Sequence, residues 1–253
     1  MADIKIALSF DDGPHDGPLV ASGETDETKK NRTERVLNTL ASKGFKAVFF
    51  VQTEVPIRLK SPNGSKMGVR AHQDGHVLAI HNGNKEDHRC HKSRVAKPAD
   101  NAGETNGLDS DMVRAKKSLK AITGNEPAFV RATYGITNPA CMTVYQARNL
   151  NHIYWDVDSK DTAAGATKAS VSAALKAETE AKLTAGVTKL IFLFHDTKLV
   201  TAQSLEAFIG VIDAAVIGKG HTPKFLTTAA DVSSLIKEKA KAGTDDACPA
   251  GSE

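Results

Sequence analysis

The chain has 253 residues, 40% of them hydrophobic and 25% charged, with 33 Lys+Arg against 30 Asp+Glu for a formal charge of +3. That balance is an ordinary globular one, large enough to bury a sizeable core, and its basic residues form no stripe of the kind nucleic-acid binders carry. No apolar run approaches a membrane span, and the three cysteines, Cys90, Cys141 and Cys248, are too few and too scattered to imply a disulfide framework.

The first residues enter a strand-like run at once, without a signal-peptide core. Strands are expected at Ile4–Phe10, Lys46–Val51, His76–His81, Ala128–Tyr134, His152–Val157, Lys189–His195 and Lys224–Thr227. Helices are expected at Asn31–Lys43, Asp109–Thr123, Pro139–Asn149, Lys168–Ala185, Thr201–Lys219 and Ala229–Ala242, with Val36, Leu37 and Leu40 on one face of the first. Gly44 and Gly124 follow two of these helices, where a left-handed C-cap belongs. Ile191 to Phe194 is continuously apolar, as in a strand buried on both faces. Strand–helix alternation along the whole length implies an α/β fold, a distorted (β/α) barrel with about seven parallel strands in a single domain over residues 1–242. Two polar stretches, Asp11–Lys30 and Asn82–Gly107, are expected loops, and the tail from Gly243 is expected to fray.

Chemistry concentrates where the first strand ends, in Asp11-Asp12-Gly13-Pro14. Asp, Gly and Pro are turn residues, but two adjacent carboxylates at a strand end can also take separate tasks, one binding a metal and one acting as a base. Ser9-Phe10-Asp11-Asp12-Gly13-Pro14 resembles the first motif of the polysaccharide deacetylase superfamily, the NodB-homology or carbohydrate esterase family four domain. Further motifs follow in the family's order. Phe129 to Gly135 resembles its Arg-x-Pro-Tyr-Gly motif with Thr133 in place of proline. Trp155 to Thr162 resembles Asp-x-x-Asp-Trp with Thr162 in place of tryptophan, and Leu190 to Asp196 resembles the closing Leu-x-His-Asp strand. Gly75 to His81 fits the lead-in of the second motif, but position 85, where the family's second metal-binding His belongs, is Lys.

The resemblance implies one divalent metal ion, Zn2+ or another such as Co2+, held by Asp12, His81 and a second histidine. His88 is favoured for that place and His91 is the alternative; His88-Arg89-Cys90-His91 as a separate zinc cluster is weaker, having one nearby Cys. The resemblance further implies Asp11 as general base, Arg131 as its ion-pair partner, His195 as the acid for the leaving amine and Asp161 as the anion that holds His195. The Tyr134 backbone N–H would complete an oxyanion site, Leu193 would line the acetyl-methyl pocket, and Trp155 would contribute to the substrate cleft. His72, His76, His152 and His221 are read as ordinary surface or core imidazoles, and His15, though near the Asp pair, has no matching role. No Gly-x-Ser-x-Gly elbow, Walker loop or dinucleotide fingerprint is present.

The resulting expectation is a metal-dependent hydrolase removing N-acetyl groups from an amino-sugar polymer or oligosaccharide, of chitin, peptidoglycan or poly-N-acetylglucosamine type. The alternatives are an O-acetyl (xylan) esterase, a small-molecule amidase or imidase using the same site, or a non-catalytic carbohydrate-binding member. The partner is an acetylated carbohydrate, with neither nucleic acid nor membrane span. Compartment and oligomeric state are left open.

Overall fold

The computed structural model describes residues 1–19, 23–82, 107–137 and 139–242, and only the backbone of residues 82, 241 and 242. The strands are β1 (Asp3–Asp11), β2 (Ala47–Gln52), β3 (Val77–Asn82), β4 (Phe129–Val130), β5 (Asn151–His152), β6 (Val157–Asp158), β7 (Lys189–His195) and β8 (Thr222–Phe225). The helices are α1 (Arg32–Lys43), α2 (Pro62–Gln73), α3 (Leu108–Thr123), α4 (Pro139–Ala147), α5 (Lys168–Thr184), α6 (Leu199–Gly218) and α7 (Ala229–Ala242). All strand pairs are parallel, in the order β5-β4-β3-β2-β1-β7-β6. β1 is the hub: β7 lies along Lys5–Asp11 on one edge, while the other edge is shared between β8 at Asp3–Ile6 and β2 at Leu8–Asp11. No ladder joins β5 to β6 among the described residues, so the sheet curls into a barrel that is open on one side. That is the distorted (β/α) barrel expected.

The two-residue alternation of a strand sorts β1 into two faces. Ile4, Ile6, Leu8 and Phe10 join the large apolar layer under the helices, with Phe10 stacked between Phe49 and Phe194. Ala7 points into the barrel, in a smaller cluster with Val48, Phe50, Ala79, Phe129, Ile153 and Ile191. Val232, Leu235 and Ile236 of α7 pack into that same inner cluster. Continuing the inner-face alternation puts Asp11, His81, Arg131 and His195 at the C-terminal rim, above this apolar filling.

α6 is long and apolar enough to cross a membrane by length and composition alone. Its Ala202, Leu205, Phe208, Ile209, Ile212 and Val216 are instead buried in the core beneath it. Both predicted C-cap glycines are left-handed, Gly44 at φ 69° and Gly124 at φ 73°.

Four expectations require correction. The run Ala128–Tyr134 is a strand only at Phe129–Val130, because Tyr134 and Gly135 adopt positive φ in a 3-10 turn over Thr133–Gly135. His152–Val157 breaks into β5 and β6, and the Asp156 carboxylate takes the Ile191 N–H at 2.8 Å. The helix α2 was not foreseen, since Gly64 and Gly68 weaken its propensity and blur its period. Packing explains both glycines: a Cβ on Gly64 would lie 1.9 Å from the Arg58 carbonyl, and one on Gly68 2.6 Å from Leu59. Finally, Cys141 is disulfide-bonded, its partner lying outside the described residues. The tail from Gly243 and almost all of the Asn82–Gly107 stretch also lie outside them.

Candidate active site

Asp11 is the last residue of β1, and Asp12 is left-handed at φ 70°. In a continuing strand these neighbours would point to opposite faces. The left-handed step at Asp12 turns the chain so that both carboxylates reach His81. Asp12 Oδ1 lies 3.3 Å from His81 Nε2 and Asp11 Oδ2 lies 4.0 Å from it. Gln52, at the end of β2, donates from Nε2 to Asp12 Oδ1 at 2.9 Å.

His81 is buried, and its Nδ1 sits 3.0 Å from the Arg131 carbonyl oxygen. A carbonyl only accepts, so Nδ1 carries the hydrogen and a neutral His81 aims its Nε2 lone pair at Asp12. A lone pair facing carboxylate oxygens is repulsive unless a proton or a cation lies between them. The electrostatics follow suit. Burial works against charge on His81, but the adjacent Asp11 and Asp12 outweigh it and raise its pKa. Burial likewise works against an ionised Asp12, but the hydrogen bond and charge of His81, then His195 and Arg58, hold it well below the usual carboxylate range. A carboxylate and an Nδ1-anchored imidazole are donors suited to zinc-like ions. Among the described residues no third His, Cys, Asp or Glu completes a cluster with them. His88 and His91, the expected second histidine ligand and its alternative, lie outside the described residues.

Arg131 is fully buried and holds this corner together. Its Nη1 donates to Asp11 Oδ1 at 2.7 Å and to Ser9 Oγ at 2.9 Å. Nε donates to the Ile153 carbonyl and Nη2 to that of Tyr154. The guanidinium stacks 4.0 Å over Phe50 and 5.5 Å from the Trp155 ring. Asp11 is thus left with Oδ2 facing the cleft.

On the other side of Asp11, His195 is its direct neighbour in the β1–β7 register. Asp161 Oδ1 lies 2.8 Å from His195 Nδ1, and its Oδ2 accepts from the His195 backbone N–H at 2.8 Å and from Thr201 Oγ1 at 2.5 Å. Burial alone would lower the His195 pKa, but Asp161, with Asp11 and Asp12 behind it, raises it to about 9. Nδ1–H is committed to Asp161, so Nε2–H is the proton available to a bound molecule.

Leu193 shares the inner face with His195 and is buried. Tyr134 is exposed at φ 59° on the rim, and Trp155 packs so closely on Gly135 that a Cβ there would lie 2.6 Å from its ring. The remaining buried histidines are different in kind. His76 and His152 accept backbone N–H groups from Ala47 and Ala132, and burial pushes their pKa values to about 4 and about 3. His15 accepts from the Gly17 N–H and is pushed to about 4, by burial first.

Sequence reasoning missed Gln52 and Thr201, which touch the site residues only through folding, and it gave no role to Asp196. Burial raises the Asp196 pKa to about 7 although Thr33 donates to it, and its carboxylate lies where a Cβ on Gly13 would be. The one available signal for Gln52 was its place at the C-terminal end of a strand.

The polysaccharide deacetylase family model matches residues 1–153, from β1 through β5. Chitin deacetylase 2 of Cryptococcus neoformans is 26% identical over 173 residues, covering 65% of this chain, which spans 30% of that protein's length. Among solved structures, the chitin deacetylase of Colletotrichum lindemuthianum superposes with a TM-score of 0.63 at 19% identity, covering 91% of this chain and 92% of that one. A family 4 carbohydrate esterase from Streptomyces lividans gives 0.59 at 21% identity, with coverages of 88% and 93%. At such identities the superpositions establish the fold. A family match over more than half the chain, carried on the same strands that present Asp11, Asp12, His81 and Arg131, makes this protein a member of the polysaccharide deacetylase family.

Proposed function

We propose that the chain is a metal-dependent hydrolase that removes N-acetyl groups from an amino-sugar polymer or oligosaccharide. The observation that carries this reading is the lone pair of His81 Nε2 facing Asp12 Oδ1 at 3.3 Å, beside a second, separately anchored carboxylate. Asp12 and His81 would hold a divalent ion, zinc by donor type, with His88 or His91 as the further ligand. When bound, such an ion polarises the acetyl carbonyl and lowers the pKa of a coordinated water.

The chain's own groups divide the remaining work. Asp11, oriented by Arg131, takes the proton of the attacking water on its free Oδ2. The Tyr134 backbone N–H serves the carbonyl oxygen as charge gathers there. Leu193 and Trp155 line the cleft around the acetyl group and sugar. As the C–N bond breaks, His195 Nε2 delivers its proton to the departing amine, and the Asp161 anion stabilises the imidazolium until then. The products are acetate and a free amino sugar.

The test combines metal analysis with acetate release from N-acetylglucosamine oligomers. One divalent ion per chain is expected, with activity lost to chelation and restored by zinc. Asp12→Asn should weaken metal binding, and Asp11→Asn should keep the metal while losing turnover by about 10²–10⁴-fold. The opposite pattern would reverse the two carboxylates, and acetate release unaffected by either substitution would overturn the reading.

A further inference from the structure

The β4–β5 ladder stops one rung early, just before the turn that carries Tyr134. Phe129 pairs with Asn151 and Val130 with His152, and the N–H groups of Asn151 and Ile153 donate to the Ala128 and Val130 carbonyls, each at 2.9 Å. Continuing that register would bring the Ala132 N–H to the Ile153 carbonyl. Arg131 Nε takes this carbonyl instead, at 3.0 Å, while the same guanidinium holds Asp11. The displaced Ala132 N–H goes to a side chain, donating to His152 Nε2 at 2.9 Å. An imidazole that accepts at Nε2 carries its hydrogen on Nδ1. Burial, then the charges of Arg131 and His81, hold the His152 pKa down at about 3, so the acceptor persists throughout the neutral range. The ring is wedged between Tyr145, stacked with centroids 5.8 Å apart, and Tyr154, edge-on at 4.5 Å.

Ala132 is where the 3-10 turn over Thr133–Gly135 begins, and its carbonyl accepts the Gly135 N–H at 2.9 Å. Just past the turn, Thr137 Oγ1 and the Tyr154 hydroxyl share a hydrogen bond at 2.6 Å. The turn is thus tied at both ends to one short segment, by His152 before it and Tyr154 after it. Between the ties Tyr134 sits at φ 59°, a left-handed conformation that a non-glycine residue keeps only where its surroundings impose it. Thr133 stands where the related motif has proline, whose ring would stiffen the turn covalently. Ala132 is extended, at φ −64° and ψ 142°, which is the conformation a following proline asks for.

We propose that His152 and Tyr154 are positioning residues, whose side chains set the Thr133–Gly135 turn so that the Tyr134 backbone N–H meets the acetyl carbonyl oxygen as charge develops on it. This rests on the deacetylase reading above and adds the groups that preorganise its oxyanion donor.

The test uses the metal-loaded full chain and N-acetylglucosamine oligomers. It reads kcat, KM and affinity for a tetrahedral methylphosphonamidate analogue of the acetamide, beside metal content and amide hydrogen exchange. His152→Phe keeps an aromatic ring between Tyr145 and Tyr154 but removes the acceptor. It should lower kcat by about 10–100-fold and weaken the analogue by a similar factor, with KM and metal content unchanged. The Gly135 amide should exchange faster in the same variant. His152→Gln, whose side-chain oxygen can accept in place of Nε2, should keep most of the activity. Thr133→Pro added to His152→Phe should recover much of the loss, since proline suits the first position of such a turn. Tyr154→Phe should show the same split at about 2–10-fold. A kcat loss that analogue affinity does not follow, a loss carried by KM or metal content, or failure of both rescues overturns the assignment. Should His152→Phe fail to fold, Tyr154→Phe decides by the same readings, with Thr133→Pro as its rescue. An unaltered chain that releases no acetate fails the deacetylase reading alone. Faster Gly135 exchange in His152→Phe then still upholds the anchored turn, and unchanged exchange removes it.

Discussion

The two halves of the barrel are built differently. β1, β2, β3 and β7 run for six to nine residues and carry Asp11, Gln52, His81 and His195 at or next to their C-terminal ends. β4, β5 and β6 are two residues each, and from them and the turns that follow come Arg131 and Asp161. Asp11, His81 and His195 of the long strands are offered to the cleft, and Arg131 and Asp161 of the short half hold Asp11 and His195. A short strand leaves backbone carbonyls unpaired, and the Arg131 guanidinium takes two of them, at Ile153 and Tyr154, while it orients Asp11. The same side chain completes a poor ladder and positions a reactive carboxylate. Substitutions in the long half should therefore alter chemistry with little effect on stability, and those in the short half should alter both.

The largest expected effect is His195→Ala, which should cost about 10²–10⁴-fold in turnover on N-acetyl substrates. An alkoxide leaves with less acid help than an amine, so the loss on O-acetylated sugars should be smaller. Equal losses in paired acetate-release assays would remove His195 from leaving-group protonation. Next comes Arg131→Met, from the short half. It strands a buried carboxylate and frees two carbonyls, so destabilisation of roughly 3–5 kcal/mol is expected in denaturant titration, alongside lost activity. Lost activity with unchanged stability would break the proposed division of labour.

Asp161→Asn sharpens the comparison through pH. With Asp161 the His195 pKa is raised to about 9, so His195 stays protonated and the rate should fall only as pH passes that value. Without the anion the alkaline limb should move down toward the ordinary imidazole value. A pH–rate profile that does not move would assign the limb to another group.

The smallest effect concerns Asp196, just beyond the end of β7. Its carboxyl is raised to about 7, so the folded state binds its proton more tightly than the unfolded chain does. Stability from this group is full below the ordinary carboxylate pKa and is lost as pH climbs toward 7. Asp196→Asn keeps an acceptor for Thr33 without the buried charge. It should raise the melting temperature at pH 8 relative to the unaltered chain and change little at pH 4. A drop at pH 8 would show that the ionised carboxylate is stabilised by its surroundings.

Much of this site was legible as strand ends. An apolar run closing in Asp11, His81 or His195 says which face each side chain takes, because alternation along a strand is a local steric property. The approach of Arg131 to Asp11 and of Asp161 to His195 was legible through the motif resemblance, whose residues the chain carries in order. The short strands misled because a β-rich composition at Ala128–Tyr134 and His152–Val157 says nothing of positive φ at Tyr134 or of carbonyls taken by an arginine elsewhere. α2 was hidden because Gly64 and Gly68 are chosen for contact with Arg58 and Leu59, against helix propensity.

By itself, then, the sequence determined the alternation of strands and helices, the inward-facing rim positions, and the adjacent carboxylates at the end of β1. These follow from periodicities and turn preferences that act over a few residues. Only the tertiary structure decided that Asp12 turns left-handed to meet His81, and that Gln52 and Thr201 support Asp12 and Asp161. Each of these depends on strands far apart in the chain arriving side by side, and on which buried charges find partners when they do.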